Sequence, residues 1–244
     1  MANASCLNGL VTFLRRDEWR EAFAEIRHAH FFVACHNAGV TTDKIADVLG
    51  QHAAKTLSGC AFEDFLSREL PGDRNVVDDY LKRRGYKESA SAKAYMRAIR
   101  GSVMSLYEVS DIVPGQSFLA RDLIRGGEPV RVSERSASAQ MKPWDRIGAR
   151  IVSLSGTHQM CGGLLVYDLG TSERLLAKLT WFESRVEREM HIIADELGTQ
   201  FDSRLYKEIT ANGALLELAA PIFTRMWLSD ALNRALKPSS AAAL

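Results

Sequence analysis

Four arginines recur at short spacing in the middle of the chain: Arg121, Arg125, Arg131 and Arg135. A guanidinium offers a planar fork of N–H donors that matches a carboxylate or a phosphate. Together they are candidate ligand-binding residues on an arginine-bearing face for an anion. The competing reading is an internal ion-pair network, an arginine with Glu134 or Asp122, because a charge turned into a small core must be paired. Arg121 and Asp122 are adjacent, so in an extended chain one of them must face inward. Just upstream lies the densest basic run, Lys82, Arg83, Arg84 and Lys87, followed by Lys93, Arg97 and Arg100. Tyr80, Tyr86 and Tyr95 are interleaved with it. Such a run can track phosphates while tyrosines stack on bases. It reads equally as a solvated helical face with its aromatics packed inward.

Two clusters raise the question of a metal. Glu183, Glu187, His191 and Asp195 follow one another at intervals of four and line one helical face, where Glu-x-x-x-His could grip an ion. A charged flank beside an apolar stripe explains the same spacing. His28, His30, Cys35 and His36 carry zinc-type donors, but His28 and His30 point to opposite sides of a helix, so boundary and core histidines are the better reading. No metal and no cofactor is therefore expected. Cys161 beside His158 could pair a thiol with a base, but in extended chain the two lie on opposite faces. The chain has no G-x-S-x-G, H-E-x-x-H, P-loop or G-x-G-x-x-G, so a metal-dependent enzyme on the Glu183 face ranks last among the readings.

These residues need a scaffold. From Ser102 to Tyr167, short β-branched and aromatic runs are broken by turn residues at regular intervals, the rhythm of a small barrel or curled antiparallel sheet. The spacing predicts strands at Leu106–Val113, Ser117–Ile124, Pro129–Arg135, Arg146–Leu154 and Gln159–Tyr167. Pro114-Gly115 ends the first, and Arg125-Gly126-Gly127-Glu128 forms a tight hairpin. Gly162-Gly163 marks a bulge or bend. Lys142-Pro143-Trp144-Asp145 is a turn with an aromatic plug. Five such strands point to an SH3-like or OB-like barrel, folds that often bind nucleic acid or peptides. Helices are predicted on both sides: Asp17–Asn37, Lys44–Leu49, Cys60–Leu70, Asn75–Arg84, Ser89–Arg100, Ser172–Leu197 and Ala214–Leu236. Thr41 to Gly50 resembles the first half of a helix-turn-helix, but the second half lacks side chains for base edges. The last helix contains Pro221 and a strong apolar face of Phe223, Trp227, Leu228, Leu232 and Leu236, which either closes the core or docks on a partner.

With 31 basic and 30 acidic residues, the chain lacks the cationic excess of a dedicated nucleic-acid binder. Its four cysteines form no C-x-x-C pair, which favours reduced thiols in a cytoplasm. In the amino-terminal segment the charges follow the apolar run, the reverse of a signal peptide, and no run reaches the length of a membrane span.

The segments VVDDYLKRRGYKES, SVMSLYEVSDIVPGQSFLARDLIRGGEPVRVSERSAS, PWDRIGARIV and AAPIFTRMWLSDALNRAL resemble a family of uncharacterised bacterial proteins, over about Phe62 to Leu236. The resemblance implies no established activity. Some longer relatives carry a Cys-rich SEC-C-type zinc motif; these 244 residues do not, so zinc binding is not carried over.

The expectation is an α+β protein: a helical region over residues 1–101, a five-stranded barrel over 102–168, and carboxy-terminal helices with a short tail over 169–244. The leading function is a cytoplasmic binding module, holding nucleic acid weakly and without sequence reading through the basic helix and the arginine-bearing barrel face. The rival is a protein–protein or structural module, docking or self-associating through the last helix.

Overall fold

The computed structural model describes residues 6–210 and 215–237. These residues form eight α-helices and five strands. In chain order they are α1 (Asn8–Phe13), α2 (Asp17–Asn37), α3 (Ile45–Ser67), α4 (Val76–Arg84) and α5 (Ala90–Arg100), then β1 (Ser105–Val113), β2 (Ser117–Asp122), β3 (Val130–Ser133), β4 (Arg146–Leu154) and β5 (Thr157–Tyr167), and finally α6 (Leu169–Glu196), α7 (Ser203–Thr210) and α8 (Leu216–Leu236). The α+β class and the central barrel are as the sequence implies. Ala214 and the tail Pro238–Leu244 lie outside the described residues.

The sheet closes in the order β1-β2-β3-β5-β4. Every pairing is antiparallel except β3 with β5, which run parallel. The barrel is thus not a purely antiparallel meander, and of the two expected connectivities it has the OB-like one. β1 closes the barrel by pairing with β4 through Ser105–Glu108 and with β2 from Tyr107 onward. A register break between Ser110 and Val113, with Asp111 at φ 41°, bends it. Period-2 alternation sends Tyr107, Val109, Phe118, Ala120, Val132, Ile147, Ala149 and Met160 into the barrel as one apolar cluster.

The outer side of the barrel rests on helices. Met104, Leu106, Leu165 and Tyr167 pack with Phe31, Leu57, Cys60, Phe223, Leu228 and Leu232 from α2, α3 and α8. Val152 and Cys161 join a second cluster with Trp19, Phe65, Val77, Tyr95 and Ile99. Residues from before, within and after the barrel therefore share one core cluster.

Gly162-Gly163 does mark a bulge. Ala149 pairs with Leu164 and Ile151 with Met160, so β5 carries two residues more than β4 across the break. The freed N–H of Gly163 donates to the buried Glu63 carboxylate at 2.8 Å. A Cβ on Gly163 would stand 2.7 Å from the Cys60 sulfur and 3.1 Å from its Cα and N, so α3 lies against bare backbone there.

Several local expectations are corrected. The β2–β3 link is no tight hairpin: seven residues, Leu123–Pro129, connect the strands. The reason is Asp122, whose Oδ1 accepts from the backbone N–H of Ile124 and Arg125 and folds the chain locally. Trp144 is not a plug, because its φ of 72° turns the side chain outward and leaves it 70% exposed. The helix expected at Cys60–Leu70 begins at Gln51, directly after the break at Gly50 (φ 86°, ψ 161°). α6 starts three residues earlier than expected, because Asp168 caps it by accepting from Thr171 N at 2.7 Å. The described part of the last helix starts at Leu216, and α7 was not anticipated. On α6, Leu179 is buried, while Met190, Ile193 and Leu197 further along the helix are exposed.

Candidate ligand site at the barrel mouth

The start of β1, the end of β2, the start of β3 and the β4–β5 turn meet at one end of the barrel. A cavity of about 470 Å3 opens there. Ala120, Val130 and Ile151 form its apolar wall; Tyr107, Asp122, Arg125, Glu128, Ser153 and His158 supply polar groups. Barrel mouths are a recurrent place for ligands. The parallel β3–β5 ladder begins only at Val132 and His158, which leaves the wall open toward Val130 and Thr157.

The polar groups are held in a network. Asp122 is the inward member of the Arg121–Asp122 pair and is 9% exposed. Its Oδ1 accepts from Ser105 Oγ at 2.7 Å, and its Oδ2 accepts from Arg125 Nε at 2.7 Å. Arg125 Nη2 donates to the Tyr107 hydroxyl at 2.8 Å. Two of the five guanidinium N–H groups are thereby spent, and three have no protein acceptor among the described residues. The Tyr107 oxygen accepts, so its own proton is uncommitted although the residue is 2% exposed. Burial pushes the Tyr107 hydroxyl up to about 12, so that proton stays in place at neutral pH. Burial works against the charge on Arg125, but Tyr107 and Asp122 outweigh it and hold its pKa above the ordinary value. The mouth therefore carries a fixed cation with spare donors, the arrangement that receives a carboxylate or phosphate.

The other expected ligand residues do not gather around it. Arg121 and Arg131 lie on the outer face of β2 and β3, since Leu119 pairs with Arg131 and Phe118 and Val132 point inward. Arg131 is tied to both the carboxylate and the backbone carbonyl of Asp111. Arg121 stands opposite Glu108 across the β1–β2 ladder. Arg135 is exposed beyond the end of β3. Lys82, Arg83 and Arg84 are exposed on α4 and Lys87 just after it; α4 packs on α3 and α5. Arg83 pairs with Asp79 at 2.6 Å, and Lys87 lies over the Tyr86 ring. Tyr80 and Tyr95 are buried and only Tyr86 is free to stack. The inward Tyr107 was the missed signal: a hydroxyl on the core face of a strand must find a polar partner, and Asp122 already stood out.

A second network looks catalytic by distance alone. Thr224 Oγ1 donates to His30 Nδ1 at 2.8 Å, and His30 Nε2 donates to Asp64 Oδ2 at 3.0 Å. Asp64 also accepts from Arg68 at 2.7 Å and Arg150 at 3.2 Å, and Arg150 donates to the Ser102 carbonyl. Burial pushes His30 below its ordinary value, against the pull of Asp64. Asp64 is pushed up by burial, but the bonds from His30 and the two guanidiniums outweigh that and hold it low. One carboxylate facing two guanidiniums leaves no place for a third cation, so His30 is neutral, with its proton on Nε2. Thr224, His30 and Asp64 are each 0% exposed. No substrate reaches this hydroxyl, and the network joins α2, α3, α8 and β4.

Among the described residues no group of three or more His, Cys, Asp and Glu side chains is placed to hold a metal. Glu183 and Glu187 line a separate cleft, and the His191 ring lies tilted against Phe201 with centroids 3.9 Å apart. His28 and His36 stack on either side of Phe32 along α2. Cys161 is buried with Tyr95 on the helical side, away from His158 at the mouth. The apolar face of α8 closes the core: Phe223, Leu228 and Leu232 are buried, and Trp227 Nε1 donates to the Val166 carbonyl at 2.9 Å. Among the described residues no helix is long and apolar enough to cross a membrane.

A model for a family of unknown function (DUF7986) matches residues 63–191, more than half of the chain. The chain belongs to that family. No curated protein and no solved structure matches it.

Proposed function

We propose that this member of the family is a binding module whose site is the barrel mouth, with Arg125 as the anchor for an anionic group. One observation carries the reading: Arg125 is fixed by Asp122 and Tyr107, yet it and Tyr107 keep uncommitted donors beside a cavity of about 470 Å3. Arg125 is one of the four arginines expected from the sequence, and Asp122 is its expected ion-pair partner. A bacterial cytoplasm suits this module: Cys35, Cys60 and Cys161 are buried thiols whose pKa values burial raises, so they stay protonated.

The test is a titration with inorganic phosphate and with N-acetylglycine, read from the NMR shifts of the backbone N–H groups of residue 125 and Gly126, which line the cavity and survive substitution of the arginine. A saturable shift in roughly the millimolar range, lost in Arg125→Met and weakened in Tyr107→Phe, supports the site. A flat titration with both probes removes it.

Backbone binding of nucleic acid is the second reading. Its supporting observation is that Arg121, Arg135 and Lys82 are exposed and make no ion pair among the described residues. Oligothymidylate titrated at several salt concentrations checks it. Weak binding that weakens steeply with salt and is lost in Arg121→Glu with Arg135→Glu favours this reading. No binding at low salt removes it.

A further inference from the structure

Arg125 and its neighbour Ile124 also line a second cavity, a cleft of about 290 Å3 between the β2–β3 link and the α6–α7 pair. The two cavities share the Arg125 wall and differ in what they add to it: the mouth adds the Tyr107 hydroxyl proton beside the Asp122 and Glu128 carboxylates, and the cleft adds two carboxylates and Lys207. Glu183 and Glu187 stand one turn apart on α6 and make no ion pair among the described residues. Thr180, Ser184 and Thr210 give their hydroxyl protons to their own helices, to the carbonyls of Leu176 at 3.2 Å, Thr180 at 3.0 Å and Tyr206 at 2.8 Å. Only their lone pairs face a ligand. Lys207 is the one cation that belongs to the cleft alone.

A nucleic-acid backbone brings acceptors and a negative charge at every step, so Glu183, Glu187 and the hydroxyl lone pairs of the cleft give it no partner. A polypeptide brings an N–H at almost every residue and can bring an ammonium group. We infer that the mouth and the cleft form one track for an extended peptide segment of a partner protein, with a carboxylate of the peptide on Arg125 and a lysine side chain between Glu183 and Glu187. The inference rests on the barrel-mouth reading and extends it by naming the partner. The carboxylate comes either from the peptide's C-terminus or from an acidic side chain, and the track is one to a few residues long between its two charged ends.

Fluorescence anisotropy with four labelled short peptides tests this: lysine with a free C-terminal carboxylate, the same sequence amidated, the amide with an added aspartate, and norleucine in place of lysine. The free acid with lysine should bind best, and amidation should cost about tenfold or more. Recovery by the aspartate amide assigns the carboxylate to a side chain; no recovery assigns it to the C-terminus. Glu183→Gln with Glu187→Gln, both exposed or half-buried, should erase the advantage of lysine over norleucine and leave the norleucine peptide unchanged. Arg125→Met should lose all four, and Arg125→Lys, which keeps the charge without the fork, should recover part. The peptide track is overturned if lysine gives no advantage or if the glutamine pair changes nothing. If the peptides bind no better than N-acetylglycine while that probe still shifts Arg125, the mouth stands and the track falls. If Arg125→Met leaves every probe unaffected, the mouth reading falls as well. Displacement of a peptide by oligothymidylate in an Arg125-dependent way gives the mouth to nucleic acid and overturns the peptide.

Discussion

Two aspartate–arginine networks sit on opposite sides of the barrel wall. Asp64 with Arg150 is sealed between β4 and the helices, with side chains 0% and 2% exposed. Asp122 with Arg125 stands at the mouth, where the aspartate side chain is 9% and the arginine 37% exposed. The chemistry is the same and the surroundings differ. In the first, the remaining bonds go to His30, Arg68 and Ser102, all protein. In the second, donors are left over next to a cavity. A buried network bonded only to protein specifies packing, even though it leaves the Arg68 Nε without a partner, whereas spare donors at an opening are what a ligand completes.

The sharpest way to break this contrast is to remove each aspartate. Asp64→Ala leaves two guanidiniums buried beside an unpaired histidine and should cost roughly 3–5 kcal/mol in urea unfolding. Asp122→Ala loses the Arg125 ion pair, a hydroxyl bond and two backbone bonds near solvent and should cost about 1–3 kcal/mol. Equal losses would mean that the mouth network is as structural as the sealed one. Glycines offer a second pair. Gly163→Ala forces a Cβ against Cys60 and should cost about 1–3 kcal/mol. Gly126→Ala meets open space, so only its φ of 71° is charged against it, about 1 kcal/mol.

Acid should act on the sealed network. Burial keeps His30 below its ordinary 6.5 in the folded chain, so the unfolded chain takes up the proton first. Stability therefore falls as pH drops below that value. His30→Gln keeps a donor and an acceptor without the titration, and its stability should fall less between about pH 7 and pH 5.5. Glu63, raised by burial, titrates in the opposite sense but is common to both proteins and cancels in the difference. The smallest effect is expected at Arg125→Met, a shift within about 1 kcal/mol in stability beside a complete loss of probe binding. A large stability loss there would erase the distinction between the two networks.

The strands were legible because their punctuation is local. Pro114-Gly115 and Gly162-Gly163 act within two or three residues, and the structure has the turn and the bulge where those residues stand. The site was only half legible. Arg125 and Asp122 were visible as an arginine and its partner, but which of Arg121 and Asp122 faces inward is decided by the register of β1 against β2. The gathering of Lys82–Lys87 with the strand arginines into one face was an assumption about how distant segments pack, and the helix that carries the lysines packs on other helices instead. The sealed network was not legible at all, because Asp64 and Arg150 are 86 residues apart and nothing local marks them as partners. Trp144 misled because a large aromatic beside a proline was read by its size, whereas its backbone dihedral decides where it points.

His30 and Thr224 are 194 residues apart. A ribosome releases the first long before it makes the second. During synthesis the barrel can close from residues that are already out, since its strands lie within a short stretch. The histidine, meanwhile, waits beside an unfinished core for α8 to arrive. Contacts of such span slow the search for the native state and leave apolar surface uncovered in the interval. The nascent protein should therefore be most vulnerable to proteases and to self-association just before α8 emerges, and a stop codon placed ahead of Thr224 should yield a chain that is cleared rather than one that folds.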